Sequence, residues 1–576
     1  MDDFISDVKE NYKEAVAGWD HIYDSHRDDM KFVYGIDEGQ WPDEIRRQRT
    51  NEKRPILTIN KLQKFVRQLR GDQQMNRPRM KVIPVDDKSD VTTAELYNGI
   101  IRQIEYLSSA DIAYDTAYMH AVSGSFGFFR LITEYVDDNS FDQEIKIKRI
   151  VNPLSVHFDP YAQEFTLEDA KDCFIEELVD KDDFKRLYKN AEMNDFESST
   201  SSIFGDWLQM DKVRVAEYFY KDYMTKKIGM LSDGTTIPLD QKITRDAIRE
   251  MGLEITRERT VEVPLVKWCK LTGVEVLEKA DWPGKNIPVI PVFGDEIVVD
   301  GKRYYLSLTR GAKDPQRMYN YWATAATETV ALAPKMPFIV DHRQVKGYET
   351  EWEEANISNR MFIRYKHVAG LQKPSRERQA EVPTGIIAMM QSTAYDIEDH
   401  LGKYESSKGE TSNERSGRAI LARIAQGDKG TFAFVDNLTR AIVYAGKQMI
   451  DLIPKIYDTP RALQIMGESG ETSSVNINQP VVGQDGSITV ANDLSVGKYD
   501  LIATTGASFG SKRMEMVRMM IESMQYAPQL APVIAPLVFK YSDWPGAQEI
   551  YAKLTEEIRK QQVAIAQGQA QEQPMQ

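Results

Sequence analysis

Residues able to do chemistry are scattered along this chain and form no known catalytic pattern. Residues 506–513 superficially resemble a phosphate-binding loop, but Ser511 and Arg513 stand where a second glycine and a Ser or Thr are required. His21 and His26 lie five residues apart with no Glu between them, which disfavours a zinc site on one helical face. The sequence therefore gives no reason to assign catalysis, a cofactor or a metal.

Composition narrows the class of protein further. The most apolar late stretch, residues 531–539, is short and broken by prolines, whereas a bilayer span needs roughly 20 apolar residues. The acidic start does not fit a secretory signal. Cys173 and Cys269 are too few for a disulfide framework, so we expect folding in a reducing cytoplasm. Asp and Glu are abundant, but no short carboxylate motif marks a Mg²⁺ site.

Charge is unevenly distributed along the chain. The formal net charge is −15, yet residues 46–81 hold 12 Lys and Arg against Glu52 and Asp72, so this window carries about +10 and the remainder about −25. A basic surface of this kind is suited to dock on an acidic partner or on nucleic acid. The alternative is an ordinary solvated helix face, and both interpretations can hold together. The buried side of that helix would consist of Leu62, Phe65, Val66 and Leu69.

The N-terminal part alternates between helical and strand-like patterns. An amphipathic helix is predicted at the start, on Phe4, Val8, Ala15, Trp19 and Ile22. Residues 54–60 predict a short extended piece leading into the basic helix, and residues 93–122 predict a second long helix. Residues 126–136 and 145–151 predict two strands joined by a polar turn, so the expected fold class is α+β and helix-rich.

Two helices of similar length are predicted on either side of an inserted lobe. Asp314-Pro315 has the pattern of an N-cap followed by proline at the first helical position, and Pro334 ends that helix. The first helix is predicted to align Met318, Trp322, Ala325, Thr329 and Leu332 in one stripe. The second is predicted to align Ile386, Met390, Ile397 and Leu401. The lobe between them is rich in short charged and strand-like pieces, which suggests a stalk with a tip.

The C-terminal part begins with a polar loop at residues 404–410. Thr411 and Glu414 have capping-box spacing, which predicts a long helix with a kink at the glycines of residues 427–430. Asp485-Gly486 between apolar residues predicts a hairpin. The following Met-rich helix, residues 512–525, is interpreted as core packing in preference to an adaptable binding surface.

Three stretches together resemble one known family. They are Arg54-Pro55-Ile56-Leu57-Thr58-Ile59-Asn60 running on to Asn76-Arg77-Pro78; Asn152-Pro153 with Phe158-Asp159-Pro160 and Asp169-Ala170; and Asn413-Glu414-Arg415-Ser416-Gly417-Arg418-Ala419-Ile420. In these residues the chain resembles the portal proteins of tailed bacteriophages, specifically the P-twenty-two-like group. The resemblance covers the chain to about residue 555.

The resemblance implies a portal fold divided into named regions. These are a wing (1–307), a first stem helix (308–332), a clip (333–382), a second stem helix (383–403), a channel loop (404–412), a kinked long helix with return to the wing β-structure (413–505), crown helices (506–556) and a Gln-rich disordered tail (557–576). Longer members continue into a helical barrel, and we expect no long C-terminal barrel here.

The resemblance also implies a function without enzymatic activity. Identical subunits, twelve in mature particles, would form a ring at one capsid vertex through which double-stranded DNA is packaged and ejected. The implied partners are the terminase packaging motor, a head-to-tail adaptor, and the major capsid and scaffolding proteins, with no membrane. The chain would assemble in the host cytoplasm and reside in the virion.

Three groups of residues are the candidate sites. The channel candidates are Lys403, Glu405, Lys408, Glu410 and Arg415. The clip candidates for binding the motor and adaptor are Arg343, Lys346, Glu351, Glu353, Arg360, Arg364 and Lys366. The basic patch proposed for the subunit interface is Arg46, Arg47, Arg49, Lys61, Lys64, Arg67 and Arg70. Two alternative functions stay open: a metal-dependent DNA-processing enzyme, and a monomeric capsid scaffold or adaptor.

Overall fold

The fold is of mixed helix and strand, as the sequence predicts. A computed structural model of the chain describes residues 2–75, 77–86, 90–189, 191, 212–232, 234, 236–239, 252–273, 275–331, 338–355, 361–376, 384–401, 432–467, 472–482, 488–505, 510–526, 529, 531–540, 546–547, 550–551 and 553–556. Two compact units are present, the first formed by Met1–Gln68 with Gly99–Ser495 and the second by Leu69–Asn98 with Val496–Gln576.

Helices lie at the start, in the centre and near the end of the described chain. They are α1 (Asp2–Tyr34), α2 (Asp43–Asn51), α3 (Leu62–Met75), α4 (Val91–Leu107), α5 (Ala110–Gly124), α6 (Lys181–Leu187), α7 (Lys313–Ala331), α8 (His342–Val345), α9 (Glu349–Glu353), α10 (Thr384–His400), α11 (Phe432–Ile456), α12 (Gly510–Tyr526) and α13 (Ala531–Lys540). Short 3₁₀ turns lie at Ile36–Glu38, Pro153–Ser155 and Arg310–Ala312.

Strands fill the intervening sequence. They are β1 (Pro78–Pro84), β2 (Phe126–Tyr135), β3 (Gln143–Arg149), β4 (Val156–Phe158), β5 (Asp172–Asp180), β6 (Lys212–Leu231), β7 (Thr236–Pro238), β8 (Ile255–Leu271), β9 (Val276–Asp281), β10 (Val289–Phe293), β11 (Asp295–Val299), β12 (Lys302–Leu306), β13 (Phe338–Ile339), β14 (Ser375–Arg376), β15 (Arg461–Met466), β16 (Thr472–Ile477), β17 (Gln479–Val482), β18 (Ile488–Ala491) and β19 (Tyr499–Thr505).

The first unit is built on an antiparallel sheet of order β4-β5-β6-β8-β9, with β7 attached to β6. Helix α1 packs on this sheet because its apolar residues recur at helical spacing, which confirms the predicted amphipathic helix. The shared core contains Val8, Tyr12, Ala15, Phe174, Tyr218, Cys269 and Leu271. Both cysteines of the chain are buried, and no disulfide joins them.

The helix predicted over residues 93–122 is in fact two helices, α4 and α5. The break comes at Ser109, whose φ of 48° is left-handed and therefore cannot continue an α-helix. Ser108 beside it accepts a hydrogen bond at its Oγ from the amide of Ile147, 3.0 Å away, which ties the corner to β3. Helical periodicity continues through this point in the sequence, but the turn interrupts it with local hydrogen bonds, such as the one from the amide of Ile112 to the carbonyl of Ser109 at 3.0 Å.

The predicted hairpins agree with the strand pairing. Strand β2 pairs antiparallel with β3, and β17 pairs antiparallel with β18. The Asp485-Gly486 turn itself lies outside the described residues. Helix α11 begins at Phe432 and is amphipathic, which confirms the second half of the predicted long helix. Its first half and the predicted kink also lie outside the described residues.

The second unit contains a two-stranded pairing between β1 and β19. Asn98 stabilises β1, because its Oδ1 accepts a hydrogen bond from the amide of Val82 at 2.7 Å. Helices α12 and α13 pack against each other. Within α12, Met519 is more than half exposed, so core packing does not account for this methionine within the subunit.

Candidate interaction surfaces

Helix α7 presents four polar side chains at intervals of four residues. They are Gln316, Asn320, Thr324 and Glu328. Four residues advance an α-helix by about 6 Å, and two residues advance an extended strand by about 6.6 Å. A helix with this spacing can therefore meet alternate backbone groups of an extended segment that runs beside it.

Residues 54–61 form that segment. Alternate amides donate to successive side chains of α7: Leu57 N to Thr324 Oγ1 at 3.2 Å, Ile59 N to Asn320 Oδ1 at 3.0 Å, and Lys61 N to Gln316 Oε1 at 3.1 Å. The side-chain Nε2 of Gln316 also donates to the carbonyl of Ile59 at 2.8 Å. The extended piece predicted by the sequence is therefore held by side chains of a helix, in place of a neighbouring strand.

The stripe predicted for α7 is wrong as a description of its buried face. Met318 is 44% exposed, whereas Gln316, Asn320 and Thr324 are fully buried. Burial of polar groups is tolerated here because the backbone of residues 54–61 satisfies them. We call this set of contacts the polar ladder. The i, i+4 repeat of polar residues was the sequence signal that would have revealed it.

An ion-pair clamp closes the polar ladder at its far end. The Glu328 carboxylate accepts from Arg49 Nη1 at 3.2 Å and from Arg54 Nε at 2.6 Å. The Arg54 hydrogen bonds, followed by those of Arg49, hold the pKa of Glu328 below its usual range. Glu328 in turn raises the pKa of Arg54. The Arg49 side chain is only 6% exposed and lies 5.8 Å from the ring centre of Trp41.

The basic patch is therefore smaller than the sequence suggests. Arg47, Lys64, Arg67 and Arg70 are exposed, but Arg49 is buried in the clamp and contributes no free surface charge. Arg46 pairs with Asp43 at 3.1 Å. Lys61 lies 4.4 Å from the ring centre of Tyr319. The predicted buried side of α3 is confirmed, since Leu62, Phe65, Val66 and Leu69 are each at most 4% exposed.

Helices α7 and α10 pack against each other and share an apolar core with α1 and α3. The predicted stripe of α10 is confirmed, because Ile397 and Leu401 are fully buried and Met390 packs on the same core. Other apolar residues of the pair are left uncovered by the residues that the structure describes. Exposed by 43% or more are Met318, Tyr321, Ile387, Met389 and Tyr395.

A small lobe lies between these two helices in the sequence. Strands β13 and β14 pair at its base, and Phe338 of β13 packs edge-on against Trp352 at 5.1 Å between ring centres. Trp352 Nε1 donates to the carbonyl of Arg364 at 2.8 Å, and the Arg364 side chain pairs with Glu351. These contacts bring residues from both halves of the lobe together around one aromatic pair.

The clip candidates of the sequence have different positions in this lobe. Glu351 and Arg364 pair with each other, and Arg343 pairs with Asp341 at 3.0 Å. Exposed side chains at the surface include Lys346, Glu353 and Lys366. Arg360 lies outside the described residues, as do all of the channel candidates, Lys403, Glu405, Lys408, Glu410 and Arg415.

The buried Glu176 carboxylate of the first unit has three polar partners. The buried Glu176 carboxylate accepts from Tyr12, contacts His157 Nε2 at 3.0 Å and lies 3.7 Å from Arg214. Burial alone would raise the pKa of Glu176, but the hydrogen bond from His157 and the charge of Arg214 outweigh it and lower that pKa. Burial raises the pKa of Tyr12 far above its usual range. Glu176 and its three partners therefore form a structural network of hydrogen bonds and ion pairs.

A second buried carboxylate ties α1 to the start of α7. Asp29 is fully buried and accepts from Arg310 Nη2 at 2.9 Å and Ser307 Oγ at 2.8 Å, and Lys313 Nζ lies 2.6 Å away. Because a buried charge without partners is costly, these contacts define where α7 begins relative to α1.

Two histidines meet where α1 and α5 pack, with 6.2 Å between the ring centres of His26 and His120. Burial, with a smaller effect of His120, lowers the pKa of His26 to about 3, and burial lowers the pKa of His120 to about 4. Both rings are therefore neutral near pH 7. Within the described part of the chain, no three or more His, Cys, Asp or Glu side chains lie together so that they could hold a metal ion.

Comparison with known proteins decides the family. Residues 9–576 match the family described as phage P22-like portal protein. A portal protein of Acyrthosiphon pisum secondary endosymbiont phage 1 is 26% identical over 501 residues, which cover 81% of this chain and 68% of that protein. The chain belongs to the phage P22-like portal protein family. The resemblance drawn from the three sequence stretches is confirmed.

Membership of the portal family gives the function in outline. The chain has a phage portal role, and portal proteins are structural components of the virion capsid that form homo-oligomeric rings with capsid and packaging partners. Within the described ranges, no helix combines the length and the apolar character that a bilayer crossing requires.

The structure explains two of the three portal-like stretches. The first forms the polar ladder, and Asn60 at its end caps α3 by accepting from the amide of Gln63 at 3.2 Å. In the second, Asp159 accepts from the amides of Tyr161 and Lys171, and Asp169 accepts from two further amides. These residues shape turns and make no reactive site. The third stretch, residues 413–420, lies outside the described residues.

Proposed function

We propose that twelve copies of this chain form the ring-shaped channel at one capsid vertex, through which double-stranded DNA is packaged and later ejected. The ring would also be the docking site for the terminase motor and the tail adaptor, with the major capsid and scaffolding proteins as assembly partners. Its regions would follow the predicted order of wing, stem, clip, channel loop, kinked helix and crown. ATP hydrolysis would come from the motor.

The uncovered apolar surface of α7 and α10 is the observation that carries this proposal. The first half of α10 is apolar on several sides, with Ile387 and Met389 both about half exposed. A helix of this kind is normally buried on more than one side. Tyr321 and Tyr395 add exposed aromatic area to the pair. Packing of each helix pair against the next subunit would cover these side chains and build the stem of the ring.

Charge supports a head-to-tail arrangement of subunits. A ring of identical chains requires one surface to meet a different surface of the neighbour. The exposed cations Arg47, Lys64 and Arg67 offer a basic surface, and the rest of the chain is strongly acidic. Opposite charges on the two sides would favour the closed ring over like-to-like contacts.

The channel is proposed to be lined by an acidic wall with a few cations. Each contact of a Lys or Arg with a DNA phosphate releases counterions and adds a position at which the DNA is bound. A channel through which DNA must move therefore needs few such contacts. Lys403, Glu405, Lys408, Glu410 and Arg415 remain the proposed channel residues. Replacing Lys408 and Glu410 together should impair DNA packaging or retention, and unchanged packaging and retention would remove that role.

The lobe between α7 and α10, residues 333–382, is proposed as the clip that binds the motor and then the adaptor. Its exposed cations Lys346 and Lys366 are available for a partner, whereas Arg343 pairs with Asp341 and Glu351 pairs with Arg364. Lys346→Glu with Lys366→Glu should weaken motor binding, measured by co-sedimentation with assembled rings. Lys302→Glu, at an exposed position of β12 outside the lobe, is the control, and equal loss in both variants would contradict the clip assignment.

The decisive experiment measures the mass and shape of the purified protein. A ring of twelve weighs about twelve times 65.9 kDa and shows a central hole in electron micrographs. A monomeric scaffold or adaptor would give single globules, even at high concentration and with assembly partners added. Mg²⁺-dependent cleavage of DNA by the pure chain would favour the DNA-processing enzyme instead.

A further inference from the structure

The two longest strands of the first unit continue beyond their neighbours. Strand β5 pairs with β6 only as far as Tyr220, and β9 pairs with β8 only from Lys267 onward. Past this point β6 and β8 stay paired with each other through Leu231 and Ile255. We call residues 221–231 with 255–266 the ribbon. At about 3.3 Å per residue it is roughly 35 Å long.

Within the described part of the chain, little covers the ribbon around Tyr223 and Met224. Among the described strands, β7 is the one further neighbour, and it pairs with Ile228–Met230 alone. Tyr223 is 55% exposed and Met224 is 56% exposed. Since consecutive strand residues point to opposite faces, both faces of the ribbon are open at this level.

The two faces differ in chemistry. Residues directly opposite each other in a ladder share a face, so Met224 lies beside Val263, Lys226 beside Val261, and Ile228 beside Arg259. Arg257, opposite Met230, belongs to the same face. We call this the basic face. The other face carries Tyr223, Thr225, Lys227, Glu258, Thr260 and Glu262.

An isolated two-stranded ribbon is marginally stable in water, and one with an aliphatic face is suited to pack on a further surface. The cations Lys226, Arg257 and Arg259 of the basic face are exposed, which favours an acidic partner surface. Outside its basic window of about +10 the chain carries about −25, so a second copy of the chain offers an excess of acidic groups to such a face. In a ring these groups are present on every neighbour.

We propose that the basic face of the ribbon docks on the acidic surface of a second copy of this chain, an inference that rests on the ring proposed above. The aliphatic side chains would contribute burial, and the three cations would select the side of the neighbour on which the ribbon lies. The ribbon would then link adjacent subunits at a place separate from the α7–α10 pair.

Cysteine labelling tests this proposal, because the native Cys173 and Cys269 are fully buried and give little background. Met224→Cys reports on the basic face, and Thr225→Cys, the next residue, reports on the opposite face. The rate of maleimide labelling is measured for each variant as purified monomer and as assembled ring. Met224→Cys should be labelled at least about tenfold more slowly in the ring, while Thr225→Cys keeps its rate.

Other labelling results overturn the proposal. Equal rates for Met224→Cys in monomer and ring would mean that the basic face stays open. Protection of Thr225→Cys alone would mean that the other face docks. If the wild-type chain forms no ring by native mass measurement, the proposed function fails and this inference fails with it. A ring that forms normally with an open ribbon would refute only the inference.

Charge reversal provides a second measurement that does not depend on labelling. Arg257→Glu with Arg259→Glu should lower the salt concentration at which rings dissociate, because two attractive contacts per subunit become repulsive. Lys227→Glu on the opposite face is the matched control and should leave that concentration unchanged. Identical salt profiles for the double variant and the wild type would contradict docking through the basic face.

Discussion

Two extended segments of this chain have opposite surroundings. Residues 54–61 run along α7, and their alternate amides are bound by buried side chains of the polar ladder. The ribbon runs beyond its sheet, with Tyr223 and Met224 more than half exposed on opposite faces. The first segment is complete within one subunit, whereas the second offers its surface to a partner.

The contrast separates stability of the subunit from assembly of the ring. Loss of a ladder contact leaves a buried polar group without a partner, which costs free energy in every copy of the chain. Loss of a ribbon side chain that is more than half exposed, such as Met224, should cost the isolated subunit little. The two segments should therefore respond differently to substitution.

Glu328→Ala should have the largest effect on the subunit. It leaves the buried Arg49 without its carboxylate, which should cost about 3 kcal/mol in the free energy of opening of residues 54–61. Amide hydrogen exchange of Leu57 and Ile59 measures this local opening. The control is Asp314→Ala, which removes an exposed pair with Arg317 on the same helix and should cost under about 0.5 kcal/mol. Equal effects would refute the clamp.

Asn320→Ala should come next. It removes the acceptor for the amide of Ile59 and the donor to Gln40, both buried or half-buried, and should cost about 2 kcal/mol by the same exchange measurement. Thr327→Ala is the control, since Thr327 is exposed on α7 and bonds only to its own helix. If the exchange protection of the Ile59 amide is unchanged in Asn320→Ala, the polar ladder does not hold residues 54–61.

Acid should abolish the difference between wild type and Glu328→Gln. The arginines lower the pKa of Glu328 in the folded chain below its ordinary value of 4.5, so the stabilisation by its charge is complete above about pH 4.5. It is lost as the pH falls through the lower, folded-state pKa. Thermal midpoints of both proteins, measured from about pH 7 to about pH 3, should converge only at the acid end. A constant gap would contradict the clamp.

Met224→Asp should have the smallest effect on the isolated subunit. An exposed strand position with no buried contact usually changes the free energy of unfolding by under about 0.5 kcal/mol. The thermal midpoint of the monomer should therefore stay near that of the wild type, although rings should weaken. A large drop in the monomer midpoint would mean that the ribbon is already packed within its own subunit.

Much of the first unit could be predicted from periodicity. The apolar spacing of α1, the buried side of α3 and the β2–β3 pairing follow directly from the order of residues, because local geometry repeats every 3.6 or two residues. The portal family was also identified from short stretches. For α7, apolar periodicity predicted the wrong buried face, because the buried side chains of this helix are polar.

Contacts between distant residues account for the rest. Gln316 and Lys61 are 255 residues apart, and Glu328 and Arg49 are 279 apart, so neither partner predicts the other from its local neighbours. Ser108, next to the break at Ser109, likewise accepts a hydrogen bond from a residue 39 positions away, Ile147 of β3. Burial of the clip candidate Glu351 against Arg364 likewise depends on the fold of the lobe.

By itself, the sequence determined the family, the mixed helical and strand character and the faces of the helices that bury apolar side chains, because these depend on residue types at short spacing. Only the tertiary structure decided which charges remain on the surface. Arg49 and Arg67 are equivalent in the sequence as members of one basic window, yet Arg49 is buried against Glu328 and Arg67 is exposed. A charge is neutralised by whatever lies beside it in space, and the chain order does not specify that neighbour.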